Sequence, residues 1–321
     1  MPKALWYVTP GMAELREEPL AASPNDLRVR AHHGAISRGT EALIFAGRVP
    51  PSEYQRMRGP NMGGAFPFPV KYGYAIVGAV ESSPSPLNGR MVFALHPHQD
   101  VFALSPDAIT PVPDGVPPQR AVLAANMETA LNAVWDGAPG PADRIAVIGA
   151  GVVGALVAFL CAQLPGADVT LVDIDPARAA LARALGASFA KPADAPSDCD
   201  LVFHASGAPA GLATALALAG DEARIIEMSW YGTGEAPLPL GGAFHSRRLT
   251  IMSSQVGKVA PSHRPRWTFA RRMVAALSLL RDARLDALLA PPIRFADLPS
   301  ELPRILAPGS GVLCQRIDYA R

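Results

Sequence analysis

Cysteine is nearly missing from this chain. Three residues, Cys161, Cys199 and Cys314, lie far apart with no C-x-x-C pair, which excludes a disulfide framework and a thiolate zinc knot. Lysine is also rare, with only Lys3, Lys71, Lys191 and Lys258 in an arginine-rich composition, a bias to which no function attaches. Neither sign of charge prevails: Lys and Arg total 29, Asp and Glu 28, and the formal net charge is +1. No overall field therefore draws the protein to nucleic acid, a membrane surface or an acidic substrate. Long apolar runs are lacking too, since the most apolar one, Val152 to Leu164, falls short of the roughly 20 residues that span a bilayer. The opening MPKALWYVTPGM has no apolar core of a secretory signal, so a reduced cytoplasmic setting is expected. What is present is a chain 49% hydrophobic and 18% charged over 321 residues, enough apolar material for two folded domains and too much for disorder.

Proline is plentiful, 33 residues gathered at 50–69, 106–118, 192–196, 237–239 and 291–308, as suits loops and strand ends. Up to about Pro118 the chain consists of short β-branched or alternating segments such as ALWYV, DLRVRAHH, AIVGAVE and MVFALHP, the texture of small sheets and barrels. From about Gln119 it changes. AVLAANMETALNAVW has helical spacing, and after the turn GAPGPAD strands and helices alternate: RIAVIG, VVGALVAFLCAQL, DVTLVDI, PARAALARALGA, CDLVFHAS, GLATALALA, ARIIEMSWY. Such alternation predicts a parallel α/β sheet. Beyond it come the strand LTIMSSQVG, the amphipathic helix Trp267 to Leu280 and a tail ending in the strand-like VLCQRIDY. The expected arrangement is a β-rich domain of two pieces, 1–118 and 258–321, with a doubly wound nucleotide domain, 119–257, inserted between them.

One motif carries chemistry. Gly149-Ala-Gly151-Val152-Val153-Gly154 follows a strand and opens a helix, the setting in which glycines allow a tight turn, a close approach to a pyrophosphate and close helix–strand packing. The helix N-terminus adds unpaired N–H groups and positive dipole. The next strand ends at Asp173, about 20 residues after the glycines, where a carboxylate accepts hydrogen bonds from the adenosine ribose. A carboxylate there repels a 2′-phosphate, and Asp175 adds to it, so NAD is expected over NADP. Arg178 is the nearby counter-charge. The turns Ser206-Gly207-Ala208 and Ser229-Trp230-Tyr231 follow the third and fourth strands and are expected near the nicotinamide half.

With these features the chain resembles the medium-chain dehydrogenase/reductase superfamily, and the resemblance covers nearly its whole length. Besides the glycine motif and V-D-I-D, it rests on three stretches. Gly34-Ala-Ile-Ser-Arg-Gly-Thr-Glu41 is similar to the family's G-x-C-G-T-D region, Val70-Lys-Tyr-Gly-Tyr-Ala-Ile-Val-Gly78 to its strand with G-H-E, and Ala125-Asn-Met-Glu-Thr-Ala130 to the helix before the nucleotide domain. The wording looks closest to a branch that includes bacteriochlorophyllide dehydrogenases. The resemblance implies a GroES-like catalytic domain around a Rossmann domain, a homodimer and a small-molecule substrate. Zinc-dependent members use a Cys, a His and a Cys or acid at places matched here to Ser37, to Tyr74 with Ala75, and to Asn126-Met127-Glu128, so the inherited zinc site is missing and no metal is expected.

Without zinc, hydrogen-bond donors must stabilise charge on the substrate oxygen during hydride transfer. Thr40, matched to the family's Thr, and Tyr74 are the expected donors, with His96 as a proton relay; Thr40 as a cap of the helix EALIF and Tyr74 as core filling are the competing structural roles. Arg38 is a further candidate for the pyrophosphate. Three readings stand at this stage. The first is an NAD-dependent oxidoreductase acting on an alcohol, carbonyl or activated double bond. The second is a zinc alcohol dehydrogenase rebuilt on His96 and His98, which alternate along a strand and so share a face, with Glu128; the competing structural role is one histidine in the substrate cleft and the other on a loop surface. The third is a non-catalytic nucleotide-binding relative. The apolar strand Leu249-Thr-Ile-Met-Ser253 is expected to pair across a dimer axis.

Overall fold

The strand Leu27–Ile36, LRVRAHHGAI, buries every second residue over its first half, as a strand with one packed face must. It pairs antiparallel with Ile76–Val80, with Val101–Leu104 and with Gln315–Asp318 from the far end of the chain. Leu27, Val29, Ile76, Val80, Val92, Phe102 and Leu104 pack as the core beneath this seven-stranded sheet. Gly78 is needed in it because a Cβ there would lie 2.3 Å from the Arg30 carbonyl oxygen. A second, four-stranded sheet joins Lys3–Thr9 and Met12–Glu17 to the short strands Val70–Lys71 and Gly63–Gly64.

The structure, a computed structural model, describes residues 1–319. Its first unit comprises residues 1–125 and 273–319 and its second Asn126–Arg272, so the divisions differ from 118 and 257. Hydrogen bonds explain where they fall. Arg120 forks onto Asp286 at 2.7 Å through both Nε and Nη2, holding the helix Pro118–Ala121 in the first unit. Segment 258–272 stays with the second: the Ala260 N–H donates to Asn132 at 3.1 Å, Trp135 stacks on His263 at 4.2 Å, and buried Arg272 donates to Glu128, Asn132 and the Lys258 carbonyl.

The second unit is built on six parallel strands in the order Ser188–Ala190, Asp168–Val172, Arg144–Ile148, Cys199–His204, Ala219–Glu227, Thr250–Ser253. The helix Val152–Cys161, apolar on all sides, is correspondingly buried from Gly154 to Phe159. From Arg144–Ile148 the chain winds outward one way and returns to wind the other. The switch point, where such sheets bind ligands beyond their carboxyl ends, therefore lies between Arg144–Ile148 and Cys199–His204.

Candidate functional site

The glycine turn sits at that switch point, and its three glycines answer different needs. Gly149 has φ +102°, and a Cβ on it would come within 2.6 Å of the Ser206 backbone. A Cβ on Gly154 would lie 1.9 Å from the Gly149 oxygen, so this position fixes the helix against the strand. A Cβ on Gly151 would meet nothing within 4 Å, which leaves open space where a pyrophosphate approaches. Half-buried Val152 and Val153 form the first turn of the helix that follows. Asp173 is bound to this turn directly: its Oδ2 accepts from the Ala150 N–H at 2.7 Å and its Oδ1 from the Asp175 N–H at 2.9 Å. Arg178, the counter-charge, pairs with Asp175 at 3.4 Å. Beside Asp173, Ile174 is 82% exposed, an apolar surface at the ribose end of the cradle that the sequence reading missed.

Across the switch point, Ser206, Gly207 and Ser229 belong to a network that also went unread. His204 is fully buried, with Nδ1 2.8 Å from Glu227 Oε2 and Nε2 2.6 Å from Ser206 Oγ. The Gly207 N–H donates to Ser229 Oγ at 3.1 Å, the Ser229 N–H to Glu227 at 2.6 Å and the Tyr231 hydroxyl to Glu227 at 3.1 Å. Burial alone would raise the Glu227 carboxyl, but the hydrogen bond and charge of His204, helped by Ser229, hold it below its ordinary value. His204 and Glu227 face each other because their parallel strands are in register at that pair.

In the first unit the strand Leu27–Ile36 delivers the chain into the helix Arg38–Phe45, and the hydroxyls converge there. Tyr74 Oη is 2.5 Å from Ser37 Oγ and 3.2 Å from Thr40 Oγ1. Burial raises the Tyr74 phenol, the nearby Glu41 charge adds to this, and the two hydroxyl contacts offset part of it, so the group keeps its proton at neutral pH. Beneath them lies Glu41, fully buried, accepting from Tyr7 Oη at 2.6 Å, the Ser37 N–H at 2.7 Å and His98 Nε2 at 2.9 Å. Gly73, at φ +130°, makes room for this, since a Cβ there would stand 2.8 Å from the His98 ring.

Several expectations change here. Thr40 does not cap the helix: Ser37 holds the cap position, with its N–H bound by Glu41, and Thr40 lies in the first turn. Aligned on Gly39-Thr40, the cysteine of the family's G-x-C-G-T-D falls on Arg38 rather than Ser37. Arg38 donates to the carbonyls of Ile305, Val312 and Ala307 at 2.9, 2.7 and 3.1 Å, at the end of the helix Leu298–Leu306. His96 is buried rather than lining a cleft. It stacks on Phe102 at 4.0 Å, and burial pushes its pKa down to about 3, so it is a neutral imidazole across the physiological range, which disfavours a relay through its cation. His98 is buried too, not on a loop surface, and is engaged with Glu41, while Glu128 is paired with Arg272 in the second unit.

These residues do not fit a catalytic zinc. A guanidinium at the cysteine position and a protonated phenol at the histidine position supply neither a thiolate nor an imidazole to a metal. Among the described residues, no three His, Cys, Asp or Glu side chains are grouped closely enough to hold a metal ion. The glycine turn with Asp173, by contrast, fits a dinucleotide.

Residues 144–198 match the family of the 3-hydroxyacyl-CoA dehydrogenase NAD binding domain. An uncharacterised zinc-type alcohol dehydrogenase-like protein of Haemophilus influenzae is 28% identical over 216 residues, 63% of this chain and 59% of that protein, so the match spans less than two thirds of the relative. Among solved structures, a short chain alcohol dehydrogenase from E. coli CFT073, complexed with NADH, is 16% identical with a TM-score of 0.79, covering 99% of each chain. A dehydrogenase from Sinorhizobium meliloti 1021 bound to NADP is also 16% identical, with a TM-score of 0.78 over 99% of each chain. The fold is that of these enzymes, a GroES-like β-rich unit with a Rossmann unit, and the matches support the resemblance to the medium-chain dehydrogenase/reductase superfamily.

Proposed function

We propose that the chain is an NAD(H)-dependent oxidoreductase that moves a hydride between the nicotinamide and a small alcohol, carbonyl or activated double bond, using hydroxyl donors where zinc-dependent relatives use a metal. The observation that carries this reading is the hydrogen bond from the Ala150 N–H to Asp173 Oδ2 at 2.7 Å, which locks the acid onto the glycine turn. Gly149, Gly151, Val152, Val153 and Gly154 would receive the pyrophosphate at the helix N-terminus, Asp173 the adenosine ribose, and Ile174 the apolar face of the adenine. Ser206, Gly207 and Ser229 would border the nicotinamide half.

The bound nicotinamide supplies the hydride chemistry. Tyr74 and Thr40 would donate hydrogen bonds to the substrate oxygen as charge develops on it, with Ser37 orienting the Tyr74 hydroxyl. The buried Glu41 carboxylate fixes Ser37 from below, and burial, with a smaller contribution from the Glu41 charge, keeps Tyr74 protonated. The exposed edge of the sheet, Thr250–Ser253, is the proposed seam of a homodimer.

Fluorescence titration with NADH and NADPH tests the cofactor assignment. NADH should bind at least roughly tenfold tighter, a difference of about 1.4 kcal/mol, because a 2′-phosphate would meet Asp173 while Arg178 is engaged by Asp175. Equal affinities, or a preference for NADPH, would overturn it.

A further inference from the structure

The pair of buried His204 and largely buried Glu227 is not explained by stability, since apolar residues of similar size commonly serve a core as well as such a pair does. It is also open at one end. His204 Nε2 contacts Ser206 Oγ at 2.6 Å, and Ser206 is exposed at the carboxyl end of its strand, its backbone packed against Gly149 of the dinucleotide cradle. The hydrogen bonds define a direction. Glu227 can only accept, so Nδ1–H donates to it and Nε2 is left to accept the Ser206 hydroxyl proton, while Ser206 Oγ accepts from the Ala208 N–H at 3.2 Å.

We propose that His204, held by Glu227 and reached through Ser206, takes up and keeps a proton when the reduced cofactor occupies the nicotinamide half of the crevice. This rests on the NAD(H) assignment above. The two redox forms of the cofactor differ by one positive charge on the nicotinamide ring, and Ser206 borders that half of the switch point. An imidazolium at His204 is therefore opposed by the oxidised ring and tolerated by the reduced one. The balance of the reaction gives this a use. Oxidation of an alcohol yields a carbonyl, the reduced cofactor and one proton, so a protonated His204 matches the charge state that hydride transfer leaves on the cofactor.

The titratable groups facing His204 are Glu227 on the neighbouring strand and Tyr231 beyond it, whose hydroxyl is 3.5 Å from Nδ1. On the other side, the paired residue of Arg144–Ile148 is Ile148, and the helix Pro209–Leu218 presents Gly211, where a Cβ would stand 2.5 Å from Nε2. Burial first, then the Glu227 charge, raises the Tyr231 phenol, so it stays protonated, and Glu227 stays a carboxylate.

Calorimetric titration of NADH and of NAD⁺ between pH 6 and 8, in buffers of different ionisation enthalpy, counts the protons taken up with each. NADH binding should take up more than NAD⁺ binding, by on the order of half a proton, and NADH affinity should weaken as pH rises. His204→Gln should abolish the difference while still binding NADH. Glu227→Gln should move the uptake to lower pH by removing the charge that favours the imidazolium, which keeps the test decisive if the first variant does not fold. Equal proton counts in the wild type, persistence of the difference in His204→Gln, or an unchanged profile in Glu227→Gln would sink the inference and leave the cofactor assignment standing. Absence of binding by any nicotinamide dinucleotide would sink both. Should the protein bind only the 2′-phosphorylated pair, that pair serves as the probe.

Discussion

Tyr74 keeps its proton at neutral pH, and this decides what it can do: it can donate a hydrogen bond to a developing oxyanion but cannot ligate a cation as a phenolate. Tyr74→Phe should lower turnover by something like the 10²–10³ seen on removing one oxyanion donor, with NADH affinity unchanged. Steady-state kinetics over an alcohol and aldehyde panel, with an NADH titration as control, makes the measurement, and normal turnover would remove Tyr74 from the mechanism. The protein should also retain activity after chelation and contain well below one metal ion per chain by elemental analysis, because Arg38 and Tyr74 stand where thiolate and imidazole would be needed. Stoichiometric zinc would contradict that.

At the scale of elements, two glycines in one turn separate folding from binding. Gly154→Ala places a methyl 1.9 Å from the Gly149 oxygen, so the helix must lift from its strand, at a cost of roughly 1–3 kcal/mol in thermal or urea unfolding and with loss of NADH binding. Gly151→Ala enters open space and should fold with stability within about 0.5 kcal/mol of wild type while losing NADH affinity at least about tenfold. Equal behaviour of the two would mean the turn does not approach a ligand. This turn was legible in the sequence because strand, glycines, helix and Asp173 are joined by local spacing. The His204–Glu227 pair was not, since its partners meet only through the register of two parallel strands. Aligning the strands CDLVFH and ARIIE on their final residues would have set the two opposite each other, which is the signal that was available. The positions of His96 and His98 were misjudged for a related reason: alternation in a strand says which side chains share a face, not whether that face is packed under Phe102 and Glu41.

For the whole molecule, pH acts first through buried imidazoles. His96, at about 3, and His33, also lowered by burial, are neutral in the fold but take up protons in the unfolded chain near the usual histidine value. Stability should be flat between about pH 6.5 and 8.5, fall above that as the buried thiols, raised by burial, would ionise only in the unfolded chain, and fall below pH 6.5 by about 2 kcal/mol at pH 5 from His96 alone. The carboxylates held low by arginine, Glu81, Asp282 and Asp286, add their loss only below about pH 4.5. Urea unfolding at pH 7 and pH 5 measures the slope, and His96→Gln should reduce it; a wild-type protein equally stable at both values would show that His96 protonates without cost. Light scattering at micromolar concentration tests the dimer, which a mass near 33.7 kDa would contradict.

The three carbonyls clamped by Arg38 set a cost on replacing it. Placing a thiolate at position 38 would strip the hydrogen bonds from Ile305, Ala307 and Val312, about 1 kcal/mol each, whether or not an imidazole stood at position 74. A metal site built at this position thus starts from a less stable protein, and the guanidinium works as a latch between the helix Arg38–Phe45 and the segment 305–312.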